Sequence, residues 1–392
     1  ASPCSALHLE LFTLLSRANS LLTANNYFYK FMKVVIPHMG QLDIACRGAL
    51  RGLGIDVVSP PRSSNVSLKL GARYSPELAC LPFKVNLGNF IDALNDGTKM
   101  IMTAGGCGPC RFGYYSILQE RILQDMGYRF EMVRADEPDR LANLANTLKQ
   151  ASGAISKFTA YKTVYFVYKR ADFLDRIIKW SHFIRPRTSE GNRLSKLCDD
   201  AVAMVDKSST FKELRQVKKR VKVLFRDIRI DNAKKPVRLG LVGEFFMVVE
   251  PFANMDIEQK LGSMGVEVTR GVWLSDWLND RFRFNPFKRN QIKLVNRIAR
   301  PYLKYPAGGE SANTIARTIM FAKKGYDGVI HIRPFSCMPE LVAQKILTKV
   351  EKDYNIPILT LSVDEHSSEV GFDTRIEAFV DMLVRKKDKR LA

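Results

Sequence analysis

The chain has 392 residues, 46% hydrophobic and 10% aromatic, with 61 Lys and Arg against 40 Asp and Glu for a formal charge of +21. That apolar content suffices for two ordinary domains of roughly 100–200 residues each and excludes a globally disordered chain. The 24 Gly, 17 Pro and 7 Cys exclude collagen-like, low-complexity and small disulfide-stapled classes.

Residues 1–31 are read as an N-terminal extension preceding the natural start, because the first strand-like run is Met32-Lys33-Val34-Val35-Ile36-Pro37. Their most lipophilic stretch, 6–31, is interrupted by His8, Glu10 and Arg17, so no membrane span is expected. From 32 to 140 short β-branched runs alternate with amphipathic stretches, the rhythm of parallel strands with crossover helices. Strands are expected at 33–36, 55–58, 99–103 and 128–133, with helices from Asp43 to Leu53 and from Phe83 to Leu94.

Between 141 and 235 this rhythm gives way to long, basic, helix-compatible sequence, with the apolar run Tyr161 to Tyr168 ambiguous. After Lys234-Lys235-Pro236 the α/β rhythm resumes over 236–388, with strands expected at 237–242, 265–270, 327–332 and 356–362. Helices follow near 254–264, 311–324, 340–353 and 373–384. The expected fold is α/β: two Rossmann-like open parallel-sheet domains joined by a mostly helical basic connector. Residues 151–240 hold 22 Lys and Arg against 9 Asp and Glu. A solvated helix face or a dock for an acidic partner is favoured there over nucleic acid, since no nucleic-acid-binding motif accompanies the charge.

Seven cysteines, an odd number without a secretory leader, argue for a reducing cytoplasm. Three of them precede helix starts, where open α/β sheets tend to place ligands. Cys110 ends the glycine-rich turn after strand 99–103, Cys337 follows strand 327–332 ahead of Pro339, and Cys80 stands before Pro82. Free amides and partial positive charge at helix starts favour thiolates, and three thiolates can hold a metal cluster whose fourth iron stays open. Zinc, or a redox pair made by Cys107 and Cys110, is the alternative. Cys4, Cys46 and Cys198 are read as buried structural cysteines. Among other polar residues, His331 is read as a satisfied core histidine. Asp364, Glu365, His366 and Glu369 are either cleft acid/base groups or helix caps and partners of Arg375. Lys84 and Arg111, beside two of the cysteines, would offset cluster charge.

The motifs Cys80-Leu81-Pro82-Phe83-Lys84, Gly108-Pro109-Cys110-Arg111-Phe112-Gly113-Tyr114-Tyr115, Gly243-Glu244 with Pro251-Phe252-Ala253-Asn254, Arg333-Pro334-Phe335-Ser336-Cys337-Met338-Pro339-Glu340, and Asp364-Glu365-His366 with Thr374-Arg375-Ile376-Glu377-Ala378-Phe379 carry a resemblance. The chain resembles the D-component subunits of 2-hydroxyacyl-CoA dehydratases and the related CoA-substrate enzyme activase-related proteins of anaerobes. The resemblance covers nearly everything after Met32.

It implies an oxygen-sensitive [4Fe-4S] or related cubane cluster in the cleft between the two domains. Cys80, Cys110 and Cys337 match its ligands, with Cys107 as an additional candidate. It further implies electrons supplied by an ATP-hydrolysing activase bearing its own cluster, and, in the dehydratases, a ketyl radical from a 2-hydroxyacyl-CoA. The chain lacks a Walker-type phosphate loop, so ATP use requires another chain. The segment Ala307-Gly308-Gly309-Glu310-Ser311 lacks the Gly-His-Gly element expected in relatives. The favoured function is ATP-coupled low-potential electron transfer. One alternative is a dehydratase subunit, a lyase, binding acyl-CoA at the open iron, with Glu340, Glu365 and His331 as weak catalytic candidates. The other is a non-redox basic protein binding nucleic acid or an acidic partner. An oligomer is compatible with all three.

Overall fold

The computed structural model describes residues 33–391 apart from 56, 60, 104, 106–109, 135–147, 149–155, 286–289 and 306. The first half contains β1 (Val34–Val35), α1 (Leu42–Arg51), β2 (Val57–Val58), α2 (Asn65–Tyr74), α3 (Leu81–Asn95), β3 (Met100–Thr103), α4 (Tyr115–Asp125) and β4 (Glu131–Arg134). A 3-10 turn, Arg111–Tyr114, leads into α4. Helices α5 (Lys157–Ile184), α6 (Gly191–Lys207) and α7 (Phe211–Arg226) follow. The second half contains β5 (Val237–Gly243), α8 (Phe245–Val249), α9 (Ile257–Ser263), β6 (Val266–Arg270), α10 (Leu274–Phe282), α11 (Gln291–Ala299), α12 (Ser311–Lys323), β7 (Gly328–Pro334), α13 (Met338–Tyr354), β8 (Ile358–Val363) and α14 (Glu369–Leu391).

Two four-stranded sheets result, ordered β2-β1-β3-β4 and β6-β5-β7-β8, with every pair parallel. Parallel neighbours need crossover connections, and here helices supply them. The shared order makes the halves architectural relatives. All eight expected strands are present. The last strand of the first sheet begins at Glu131 rather than 128, because Tyr128 and Phe130 pack against the core formed by Phe83, Phe90 and Leu123 instead of joining the ladder. All seven residues of β7 are buried, as expected of a parallel strand covered on both faces.

The ambiguous run at 161–168 lies inside α5, a helix of 28 residues whose start is set by Ser156 accepting a hydrogen bond from the Thr159 amide. Arg170, fully buried in α5, ties this helix to α1 and α6 by donating to the carbonyls of Ile44, Ala45 and Val205 at 2.6, 2.9 and 2.7 Å. In α7, Leu214, Val221 and Phe225 face inward while Lys212, Arg215, Lys219, Arg220, Lys222 and Arg226 are exposed. The positive charge of α7 therefore forms a solvated helix face. Among the described residues, no helix is long and apolar enough to cross a membrane.

Helices α2 and α3 cross at two glycines. A Cβ on Gly71 would fall 1.9 Å from the Lys84 carbonyl oxygen, and one on Gly88 1.9 Å from that of Ser67. The α2–α3 pair in turn shares a core with the second half: Leu68, Leu81 and Val85 pack in one cluster with Leu241, Phe246 and Val248. The helix that follows Cys80 is thus held between the two sheets' cores.

Candidate metal centre

Cys80, Cys110 and Cys337 each occupy the residue before a helix, in extended conformation: before α3, before the 3-10 turn of α4, and before α13. Pro82 and Pro339 in the first turns need no backbone donor partner there. Cys107 lies outside the described residues.

One side chain connects the three cysteine segments. The Arg111 guanidinium donates to the Leu78 carbonyl at 2.7 Å and to the Ser336 carbonyl at 2.6 Å. Arg111 follows Cys110, Leu78 is two residues before Cys80, and Ser336 directly precedes Cys337. These three loops, far apart in sequence, therefore converge on a single cation. Cys80 Sγ also lies against the Tyr115 hydroxyl.

The electrostatics agree with that convergence. Burial pushes the Cys80 thiol up to about 12, and the negative charges of Glu244 and Cys110 add to it while Arg111 opposes. Burial likewise raises Cys110, with the Phe112 amide opposing and Glu244 and Glu310 adding. Cys337 is raised by burial, Glu244, Glu340 and Cys80, with the Glu340 amide opposing. Helix-start amides were expected to favour thiolates here. They do act in that direction, but loss of solvent outweighs them. A free nucleophilic cysteine is poorly served by such a site. A cationic metal group is well served, because it adds positive charge to three thiols that have lost much of their solvent.

The charge of Glu244, directly after Gly243 at the end of β5, acts on all three cysteines. Burial pushes it up to about 7 against the Met247 and Phe246 amides, with Glu340 and Glu310 adding. Its place is fixed by Gly243, at φ 138°, where a Cβ would come 1.8 Å from the Ile332 carbonyl oxygen. Position at the carboxyl end of a central strand was the signal that could have found it. Glu310 is pushed up to about 7 by burial, with Asn313 opposing and Glu340 adding.

His331 and Glu340 are fully buried and joined at 2.9 Å, with Thr314 donating to the same Glu340 oxygen at 2.9 Å and Thr360 3.3 Å from the other ring nitrogen. The core reading of His331 fits this placement. Lys84 does not stand as a free charge beside Cys80: it is buried, donates to the Glu77 carbonyl at 3.1 Å and pairs with Glu365. Asp364 closes its own turn, accepting from the His366 amide at 3.0 Å and the Ser367 hydroxyl at 2.9 Å, and Glu369 pairs with Lys260 at 2.6 Å. Arg375 donates to the Thr360 carbonyl. Cys46 and Cys198 are half-buried thiols raised by burial, apart from the three loops.

Among the described residues, no group of three or more His, Cys, Asp or Glu side chains is close enough to hold one metal ion. The three cysteines stand on three separate loops, each with helix-start amides beside it. That donor set suits a polynuclear cluster, whose ligands attach to different irons and whose sulfides accept amide hydrogen bonds.

No curated protein matches the chain. The family described as 2-hydroxyglutaryl-CoA dehydratase, D-component, matches residues 138–383. The matched span includes Glu244, Glu310 and Cys337, and leaves Cys80 and Cys110 on its N-terminal side. Because the match covers more than half of the sequence, the chain belongs to the 2-hydroxyglutaryl-CoA dehydratase D-component family.

Proposed function

We propose that Cys80, Cys110 and Cys337 hold a [4Fe-4S] or related cubane cluster in a cleft between two Rossmann-like domains, 32–140 and 236–388, joined by the helical segment 141–235. In this reading the protein handles low-potential electrons delivered by a separate ATP-hydrolysing activase with its own cluster. The observation that carries it is the Arg111 guanidinium holding the Leu78 and Ser336 carbonyls, which brings the three cysteine loops together. When bound, the cluster supplies one-electron chemistry at low potential.

The chain's own residues have definable tasks. Helix-start amides beside each cysteine stabilise negative charge on sulfur. Arg111 adds positive charge at the rim, while burial of Cys337 and the helices around Cys80 restrict water. The Lys84–Glu365 pair holds the helix after Cys80 to the second half.

The test is iron, acid-labile sulfide and zinc content, read beside the visible spectrum, on protein purified without oxygen. Near four irons and four sulfides per chain are expected by the cubane stoichiometry. Cys80→Ala, Cys110→Ala and Cys337→Ala should each lose iron, while Cys46→Ala and Cys198→Ala keep it. Full iron in any of the first three removes that cysteine as a ligand. Zinc alone, or no metal, would overturn the redox function.

A further inference from the structure

Helix α7 holds a row of cations that its own fold leaves unanswered. Lys212, Arg215, Lys219, Lys222 and Arg226 are all exposed and follow one another at intervals of three and four residues. At about 100° and 1.5 Å per residue, that spacing sets all five within about 80° of one face, along about 21 Å of helix. The opposite face packs into the core through Leu214, Val221 and Phe225.

No carboxylate pairs with any of the five among the described residues. Two basic residues of α14 are answered, by contrast: Arg385 pairs with Asp381 at 2.8 Å and Lys387 with Asp327 at 3.2 Å. The acids at the two ends of α7 are engaged elsewhere, Glu213 accepting from the Ser209 amide at 2.7 Å and Asp227 pairing with Arg193 of α6. Positive charge also reaches the row's flank. Lys218 Nζ is 5.4 Å from the centre of the Phe173 ring; burial lowers its pKa, Asp172 opposes, and Arg176 and Lys169 of α5 add to the lowering.

Like charges three and four residues apart repel, so the row destabilises α7 until negative charge faces it. Three features fix the kind of partner. Alternating steps of three and four are the period of one side of another helix, whose carboxylates would meet these cations turn by turn. Val223, 65% exposed beside the middle of the row, offers apolar contact to side chains of a second helix but is too little surface to anchor α7 in a bilayer. No aromatic side chain is exposed between 212 and 226, so nucleic-acid bases have no ring to stack on there.

We propose that α7 docks an acidic amphipathic helix of a partner protein, its carboxylates spaced three and four residues apart along the row from Lys212 to Arg226. The proposal is independent of cluster binding, because α7 lies outside the three cysteine loops.

The test uses the full chain purified without oxygen and reads fluorescence anisotropy with three labelled probes: a helical peptide bearing Glu at three- and four-residue spacing beside a row of Leu, a peptide of the same composition without that period, and a single-stranded RNA. Phosphatidylserine vesicles are assayed by sedimentation. The periodic peptide should bind, less tightly as salt rises from about 0.05 to 0.15 M, and more tightly than the aperiodic one. Lys212→Gln, Arg215→Gln, Lys219→Gln, Lys222→Gln and Arg226→Gln combined should weaken its binding by about tenfold or more, the sum expected of five exposed ion pairs. Gln is nearly as good a helix former as Lys or Arg and the core face is untouched, so circular dichroism should not change. Five other exposed lysines, Lys33, Lys324, Lys345, Lys352 and Lys389, replaced by Gln remove the same net charge and should leave binding within about twofold of wild type. Val223→Ser should weaken peptide binding by about threefold or more.

No binding of the periodic peptide, equal binding of the two peptides, or equal loss in the two five-site variants would overturn the proposal. Tighter binding of the RNA or the vesicles than of the periodic peptide would overturn it in favour of a nucleic acid or a membrane.

Discussion

Lys84 Nζ pairs with Glu365 Oε1 across 281 positions of sequence, with 5% of the lysine side chain and 21% of the glutamate side chain exposed. The pair joins the helix behind Cys80 to the loop after β8. Removing one partner strands a charge out of water, whereas removing both restores neutrality.

Glu365→Gln should therefore lower unfolding free energy by about 2–3 kcal/mol, somewhat below the range for a fully buried pair because Glu365 retains some solvent. The double variant Lys84→Met/Glu365→Gln should recover most of that loss. Urea denaturation at neutral pH measures both, and a single variant within about 0.5 kcal/mol of wild type would show that the pair is not closed in solution.

The glycine crossing of α2 and α3 makes a separate prediction. Neither Gly71 nor Gly88 leaves space for a methyl group, since each would meet backbone oxygen at 1.9 Å. Gly88→Ala should force the helices apart, cost upwards of about 3 kcal/mol, and reduce iron retention by displacing the segment that begins at Cys80. Gly97→Ala is a control for general loss of glycine: it has open space but φ 85°, so only local backbone strain of about 1–2 kcal/mol is expected. Equal iron content in Gly88→Ala and wild type would argue against this coupling.

Arg111 should matter for assembly more than for global stability, because its side chain is exposed while its two acceptors lie on different cysteine loops. Arg111→Ala should leave the far-ultraviolet circular dichroism unchanged and speed the release of iron to a chelator. Arg111→Lys should rescue only part of the retention, since an ammonium lacks the planar fork that spans two carbonyls. A release rate in Arg111→Ala identical to wild type would contradict this role.

The carboxylates predict a specific pH dependence for the metal-free protein. Glu244 and Glu310, raised to about 7 from 4.5, hold protons in the folded state that the unfolded chain releases. Their contribution to stability is fully present below about 4.5 and lost as pH rises toward 7. Glu258 behaves oppositely. Burial opposes its ionisation, but Arg270 and His182 outweigh burial and hold it below its ordinary 4.5. Its contribution is complete above that value and lost as pH falls below it.

Urea midpoints measured from pH 3 to 8 should consequently peak near pH 5, to within about a unit. Glu244→Gln should flatten the decline toward pH 7 and exceed wild-type stability at pH 8 by roughly 1–3 kcal/mol. A variant less stable than wild type at pH 8 would reverse the assigned sign.

Local patterning carried much of the fold. Runs such as Val237-Arg238-Leu239-Gly240-Leu241-Val242 read as strands because buried parallel strands are continuously apolar, and β5 covers the same residues. The helix-start positions of Cys80 and Cys337 were legible for an equally local reason, the proline that follows each. Helices α2, α10 and α11 were not anticipated, being nine or ten residues long, with only two to four buried positions each.

Sequence by itself determined the α/β class, the strand positions and the three cysteines ahead of helices, since each depends on periodicity or capping within a few residues. Tertiary structure alone decided that Arg111 reaches carbonyls 33 and 225 residues away, that Lys84 finds Glu365, and that Glu244 and Glu310 lose solvent beside the cysteines. Those relationships follow from sheet order and from the close approach of α2 and α3. Such packing depends on how distant surfaces fit together, a property that no local run of residues contains.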